Sequence, residues 1–181
     1  MAIWKIDPAH SEVTFKVKHL LVSTVRGSLT KFDAKIEGEK EDFSDARITF
    51  EADVNSINTK NEQRDEHLKS PDFFDVAKYP TITFVSKSVK KISDFEMEVS
   101  GDLTIRGITK EVKLNVLYNG TVTGFGGTQV AGFEITGKIN RFDYGLQWNA
   151  LTETGGVVVS NEVVIEIQAE FTKVQSVAVA A

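Results

Sequence analysis

The side chains that could move protons are few and scattered. Histidines stand at positions 10, 19 and 67, and the densest acid–base group is Arg64, Asp65 and His67. Proton transfer needs such groups to converge on one substrate atom. Helical spacing places Arg64 and His67 on one face and Asp65 on another, as on an ordinary solvated helix. Asp72 and Asp75, beside Phe73 and Phe74, suit the positive end of a backbone dipole and are given no catalytic role. The three histidines lie at no metal-ligand spacing and no cysteine supports them, so no metal site is expected. The chain has no Cys, which excludes disulfides, thiolate nucleophiles and thiol redox chemistry. Ser23, Ser28, Ser56, Ser86 and Ser100 lack the G-x-S-x-G frame of a nucleophile elbow. Gly124-Phe125-Gly126-Gly127 lacks the Lys-Ser/Thr of a phosphate loop and reads as a connection between strands. His19 falls on the inward side of a long strand, where it either meets a ligand's polar head or is hydrogen-bonded within a core. No catalytic residue and no cofactor is assigned.

What positions these residues is a series of strands. Val13, Phe15, Val17 and His19 alternate with Thr14, Lys16 and Lys18, the two-residue period of a strand with one wet face. The period recurs at Phe32–Ile36, Ile48–Val54, Ile82–Phe84, Phe95–Ile105, Val112–Tyr118, Ala131–Ile139 and Val163–Phe171. Ser93-Asp94, Arg106-Gly107 and Asn119-Gly120 read as turns between neighbouring strands. The result is an all-β chain of roughly eight principal strands, a number compatible with a closed antiparallel barrel. Thr59-Lys60-Asn61-Glu62 matches a helix capping box, so a short helix is expected over residues 61–68. Ser70-Pro71 could start a second, the two forming an end-cap.

With 181 residues, 41% of them hydrophobic, one domain can bury a core without cross-links. Residues 1–174 are read as that domain and 175–181, small and uncharged, as a flexible tail. The net charge of −5 argues against nucleic acid as a partner, because phosphate neutralisation needs a Lys/Arg surplus. No stretch approaches the ~20 apolar residues of a transmembrane segment. Lys5 and Asp7 interrupt the place of a signal sequence, which suggests a cytoplasmic protein as written, or a periplasmic one if the chain is a processed form.

Alternation alone does not separate a packed barrel from a hollow one. The inward faces mix small residues (Ala34, Ala52, Gly101, Ala131, Gly137, Ala169) with large ones (Phe15, Phe32, Phe50, Phe84, Phe133, Phe171), a mixture that also suits interdigitated packing. If space remains, its lining is apolar and its natural occupant is a hydrocarbon chain.

Particular stretches are familiar. Trp4-Lys5-Ile6-Asp7-Pro8-Ala9-His10-Ser11 with Val17-Lys18-His19-Leu20, the run from Asn61 to Ser70 with Asp72-Phe73-Phe74-Asp75, and Lys78-Tyr79-Pro80 resemble the YceI-like family. So do Gly101-Asp102-Leu103-Thr104-Ile105-Arg106-Gly107 and Ile139-Asn140-Arg141-Phe142-Asp143-Tyr144-Gly145. The resemblance covers nearly the whole chain in the family's order. It implies an extended eight-stranded antiparallel lipocalin-like barrel with short helices at one end and a pore holding a polyisoprenoid lipid. On that basis Phe15, Val17, His19, Phe32, Phe50, Phe84, Phe133 and Phe142 are expected to line the pore, with Phe73 and Phe74 at its helical end. The implied role is a non-enzymatic carrier or store of an isoprenoid lipid such as a quinone tail, and a homodimer is left open. Two alternatives stand beside it: an enzyme acting on an isoprenoid through His19 or the Arg64 group, and a packed barrel serving protein interaction.

Overall fold

The computed structural model describes residues 1–149 and 158–175; of the expected tail at 175–181, all but Gln175 lies outside them. In chain order the strands are β1 (Ala2–Ile6), β2 (Glu12–His19), β3 (Ser23–Leu29), β4 (Phe32–Gly38), β5 (Arg47–Asp53) and β6 (Ile57–Asn58). After helix α1 (Glu62–Lys69) come β7 (Thr81–Lys91), β8 (Glu96–Ile105), β9 (Ile108–Thr123), β10 (Gln129–Asn140) and β11 (Glu162–Lys173).

All pairings are antiparallel and the sheet closes on itself. β11 pairs with β10 along one edge, and its other edge pairs with β2 through Val164–Gln168 and with β1 through Phe171–Lys173. β1 and β2 are thus one long strand, interrupted by the turn at Pro8–His10. β3 and β4 form the next, pairing with β2 and β1 respectively, and β5 and β6 the third. Counted so, the barrel has eight long strands. The ring closes through β4, β5 and β7 at one end. At the other, β6 pairs only with β3 among the described residues, and α1 with residues 70–79 follows it.

Expectation and structure differ in four places, each with a local reason. Asn119-Gly120 does not turn the chain: β9 runs on to Thr123, and Tyr118 and Gly120 pair with Phe133 and Gly132, leaving Asn119 as a bulge. The turn dipeptide supplies the positive φ of that bulge (Gly120, +102°), which such irregularities also need. Helix α1 is capped by Asn61, whose side chain accepts from the Arg64 N–H, not by Thr59. Thr59 is instead held by Asp65 and Arg64. Ser70–Phe74 forms successive turns, not a helix: the Phe73 and Asp75 N–H groups both donate to the Ser70 carbonyl. β1 and β3 were not read from the alternation, because Trp4-Lys5-Ile6 is too short to show a period and the inner face of β3 offers only Val25 and Leu29 about Gly27.

Arg106-Gly107 does make a two-residue hairpin turn, with φ of +51° and +71°. α1 is polar on nearly every face and buries no residue fully, so its caps and partners hold it more than packing does.

Candidate functional site

One side of every principal strand faces an internal cavity of about 250 Å³. That is roughly eight times the ~30 Å³ a water occupies, far beyond an ordinary packing defect. The period-two residues form the wall: Val13, Phe15 and Val17 from β2; Val99, Leu103 and Ile105 from β8; Val112, Leu114 and Val116 from β9; Val163, Ile165, Ile167, Ala169 and Phe171 from β11. Along β11 this wall spans eight residue steps, about 27 Å of strand. Among the described residues only Thr14 and Arg141 bring polar side chains to it, and the Thr14 hydroxyl is already donated to the Glu166 carbonyl. A water needs two to four polar partners. The wall offers almost none, so its natural content is apolar.

Large side chains line this space without filling it because three glycines receive two rings and a leucine. A Cβ on Gly27 would lie 2.3 Å from Cζ of Phe15, and one on Gly101 would lie 2.5 Å from Cζ of Phe84; Leu114 reaches over Gly137 in the same way. Phe15 pairs directly with Gly27 across β2 and β3. The side chain therefore folds onto the neighbouring strand instead of crossing the lumen.

The two ends are closed differently. At the β1 end Phe43, from the β4–β5 connection, is 5% exposed and sets its edge against Trp4, Tyr118 and Phe133 at centroid distances of 5.2–5.4 Å. At the α1 end Leu68, Phe73 and Phe74 reach the cavity from the cap. Arg106 pins that cap, donating from Nη2 to the Pro71 carbonyl and from Nη1 to the Gly145 carbonyl.

Arg141 stands at the same end, 3% exposed and facing the cavity. Its guanidinium donates to the carbonyls of Leu146, Trp148, Val159 and Ser160 and lies over the Phe142 ring. Among the described residues no carboxylate pairs with it. Desolvation accordingly pulls its pKa below the usual arginine value.

Of the ten residues expected to line a pore, Phe15, Val17, Phe50, Phe73, Phe74 and Phe84 border the cavity. The other four lie elsewhere. Phe133 belongs to the Phe43 plug and Phe32 packs against the core beside the cavity. His19 bridges to Val159 at the strand end. Phe142 is 38% exposed; it sits in the turn after β10, where alternation no longer holds. Sequence reasoning missed Phe43, Leu68, Arg141, Leu146 and Val159. A lone Phe in the polar run Glu39–Asp45 was the available signal for the plug; Leu68 and Arg141 stand in stretches that resemble the family, but nothing in their residue type marked them as cavity neighbours.

The acid–base candidates disperse. Arg64 Nε donates to the Thr59 hydroxyl and Asp65 accepts from both Thr59 donors. His67 Nε2 lies 2.9 Å from Asp72, with its ring edge-on to Phe73 and Trp148. None of the three borders the cavity. Outside the barrel, His10 Nδ1 meets Asp7 Oδ2 at 2.8 Å, and Glu170 of β11 comes within 4.8 Å of both, a grouping that spacing could not reveal.

An antiparallel eight-stranded barrel, plugged with aromatics at one end and holding an apolar cavity, defines a protein of lipocalin-like architecture. Residues 4–171 match the YceI-like domain, and the chain belongs to that family. It is 47% identical over 173 residues to UPF0312 protein SAS2572 of Staphylococcus aureus strain MSSA476, covering 95% of this chain and 98% of that one. The Campylobacter jejuni YceI protein superposes with a TM-score of 0.75 at 31% identity, over 87% of this chain and 90% of that one. A polyisoprenoid-binding domain from Saccharophagus degradans shares the fold (TM-score 0.62, 17% identity, 93% and 97% covered). Among the described residues no helix is long and apolar enough to cross a membrane.

Proposed function

We propose that this protein binds the apolar chain of an isoprenoid lipid lengthwise inside the barrel, as a non-enzymatic carrier or store. The observation that carries the proposal is the wall itself: about 250 Å³ lined by aliphatic and aromatic side chains from every principal strand, with Arg141 at one end. Each CH₂ moved from water into such a space is favourable by about 0.8 kcal/mol. A long chain therefore binds well without directional contacts. The fold supports the reading, since a barrel of this architecture is described as polyisoprenoid-binding.

The ends give the ligand a direction. Phe43 blocks the β1 end, so the tail points there and a polar head stays at the α1 end near Arg141. A catalytic role has less support: Arg64, Asp65 and His67 are each committed to other groups away from the cavity. A fully packed barrel is at odds with the cavity volume. The test is a titration with a fluorescent prenyl probe. Saturable uptake at one probe per barrel, lost in Val99→Arg with the barrel still folded by circular dichroism, is expected. Uptake unchanged in that variant would count decisively against the proposal.

A further inference from the structure

We infer that the tip of the β2–β3 hairpin, Leu20-Leu21-Val22, is a membrane-docking element that seats the α1 end of the barrel on an anionic bilayer. The inference rests on the lipid-binding reading for its purpose but not for its observations. Leu20, Leu21 and Val22 are 41%, 64% and 83% exposed, three consecutive large apolar side chains at a turn where polar residues are the rule. The backbone holds them there at local cost. Leu20 and Leu21 have φ of +53° and +60°, and the Val22 N–H donates to the His19 carbonyl at 3.1 Å. This is the hairpin geometry that favours Asn-Gly and disfavours bulky side chains. A strained conformation that turns leucines into solvent points to function at the tip.

Charge identifies the surface it meets. From Val13 to Phe32 the chain carries Lys16, Lys18, Arg26 and Lys31 and no Asp or Glu; Lys16 and Arg26 pair with Glu166 and Lys31 with Asp53, which leaves Lys18 as the cation at the tip. Lys18, directly before the tip, rests its ammonium on the Thr24 hydroxyl. An apolar tip with a lysine at its base is a combination that partitions into the interface of an anionic membrane. Continuity places it at the α1 end of the cavity: Val17, on the same strand, and Val159, bridged to His19, both border the cavity. The Leu20 N–H is tied to the Val158 carbonyl. A lipid leaving the bilayer beneath this tip would meet the cap side chains Leu68, Phe73 and Phe74 and, behind them, the apolar wall.

The experiment is co-sedimentation of the full chain with vesicles of phosphatidylcholine containing phosphatidylglycerol, and with vesicles of phosphatidylcholine alone. The protein is expected to pellet with the anionic vesicles, less so as salt rises. Leu21→Asn/Val22→Ser should lower the partition on the order of tenfold while melting at or above the parent temperature, because Asn tolerates positive φ. Lys18→Glu should weaken pelleting on the anionic vesicles alone. A parent protein that stays in the supernatant, or a double variant that pellets as the parent does, overturns the docking role. Prenyl-probe uptake in vesicle-free solution separates the two readings: retained uptake with no pelleting overturns docking only, and loss of both in the parent removes the cavity reading as well.

Discussion

Phe15 and Gly27 face each other across β2 and β3, and the ring of one occupies the place where the other would carry a side chain. Phe84 pairs with Leu103 and lays its ring diagonally over Gly101. These pairs decide whether the barrel is hollow, since a ring laid on the wall leaves the lumen open while a ring standing off it would close the lumen.

Gly101→Ala is accordingly expected to drive the Phe84 ring inward and to push β7 back at the Val85 carbonyl, which the new Cβ would meet at the same distance. Overpacking of this kind costs about 1–3 kcal/mol, or roughly 2–4 °C of melting temperature per kcal/mol in a chain of this size. Probe affinity should fall in parallel. Calorimetry with probe titration checks both, and a stable variant with unchanged affinity would show that the ring has another place to go.

Phe43→Ala removes the plug. Truncating a buried Phe costs about 3–5 kcal/mol, so a lower denaturant midpoint is expected. Longer prenyl chains should then bind relatively better than in the parent, because their ends can pass the opened β1 end. Affinity measured along a chain-length series tests this; an unchanged length preference would place the limit elsewhere.

Arg141→Met keeps the length of the side chain but removes the guanidinium donor from the carbonyls of Leu146, Trp148 and Ser160, while the Val159 carbonyl keeps the Asn149 amide. A buried acceptor so orphaned costs about 1–3 kcal/mol, and amide exchange at Val158 and Ser160 should accelerate. Arg141→Lys, which cannot match the planar fork, is expected to fall between parent and Met variant.

The Asp7–His10 pair gives a pH signature. Its hydrogen bond raises the pKa of His10 above 6.5 and lowers that of Asp7 below 3.8. The histidine's contribution is complete below pH 6.5 and fades as pH rises through the raised value. That of the carboxylate is complete above pH 3.8 and fades as pH falls through the lowered one. Both are present together near pH 5. His10→Ala should therefore lower the melting temperature most around that pH and little in mildly alkaline buffer. A difference constant across the range would mean that the pair is not ionised as described.

Much of the barrel was legible in the chain. Val163, Ile165, Ile167, Ala169 and Phe171 announce one face of a strand by period alone, and all five border the cavity. The hollow was not legible. Gly101 beside Phe84 fits tight packing equally well until the ring's direction is known, and that direction is set by a neighbouring strand. Turn residues misled for a related reason: Asn119-Gly120 offers positive φ, which serves a bulge as readily as a hairpin. Arg141 escaped notice because its partners are backbone carbonyls, and carbonyls leave no trace in residue type.

The most direct test of the lipid-filled barrel is solvent extraction of the purified, folded protein followed by mass spectrometry of the extract. One polyprenyl lipid per barrel is expected, falling in Gly101→Ala. An empty extract, still empty after the protein has been incubated with polyprenyl lipids, would contradict it.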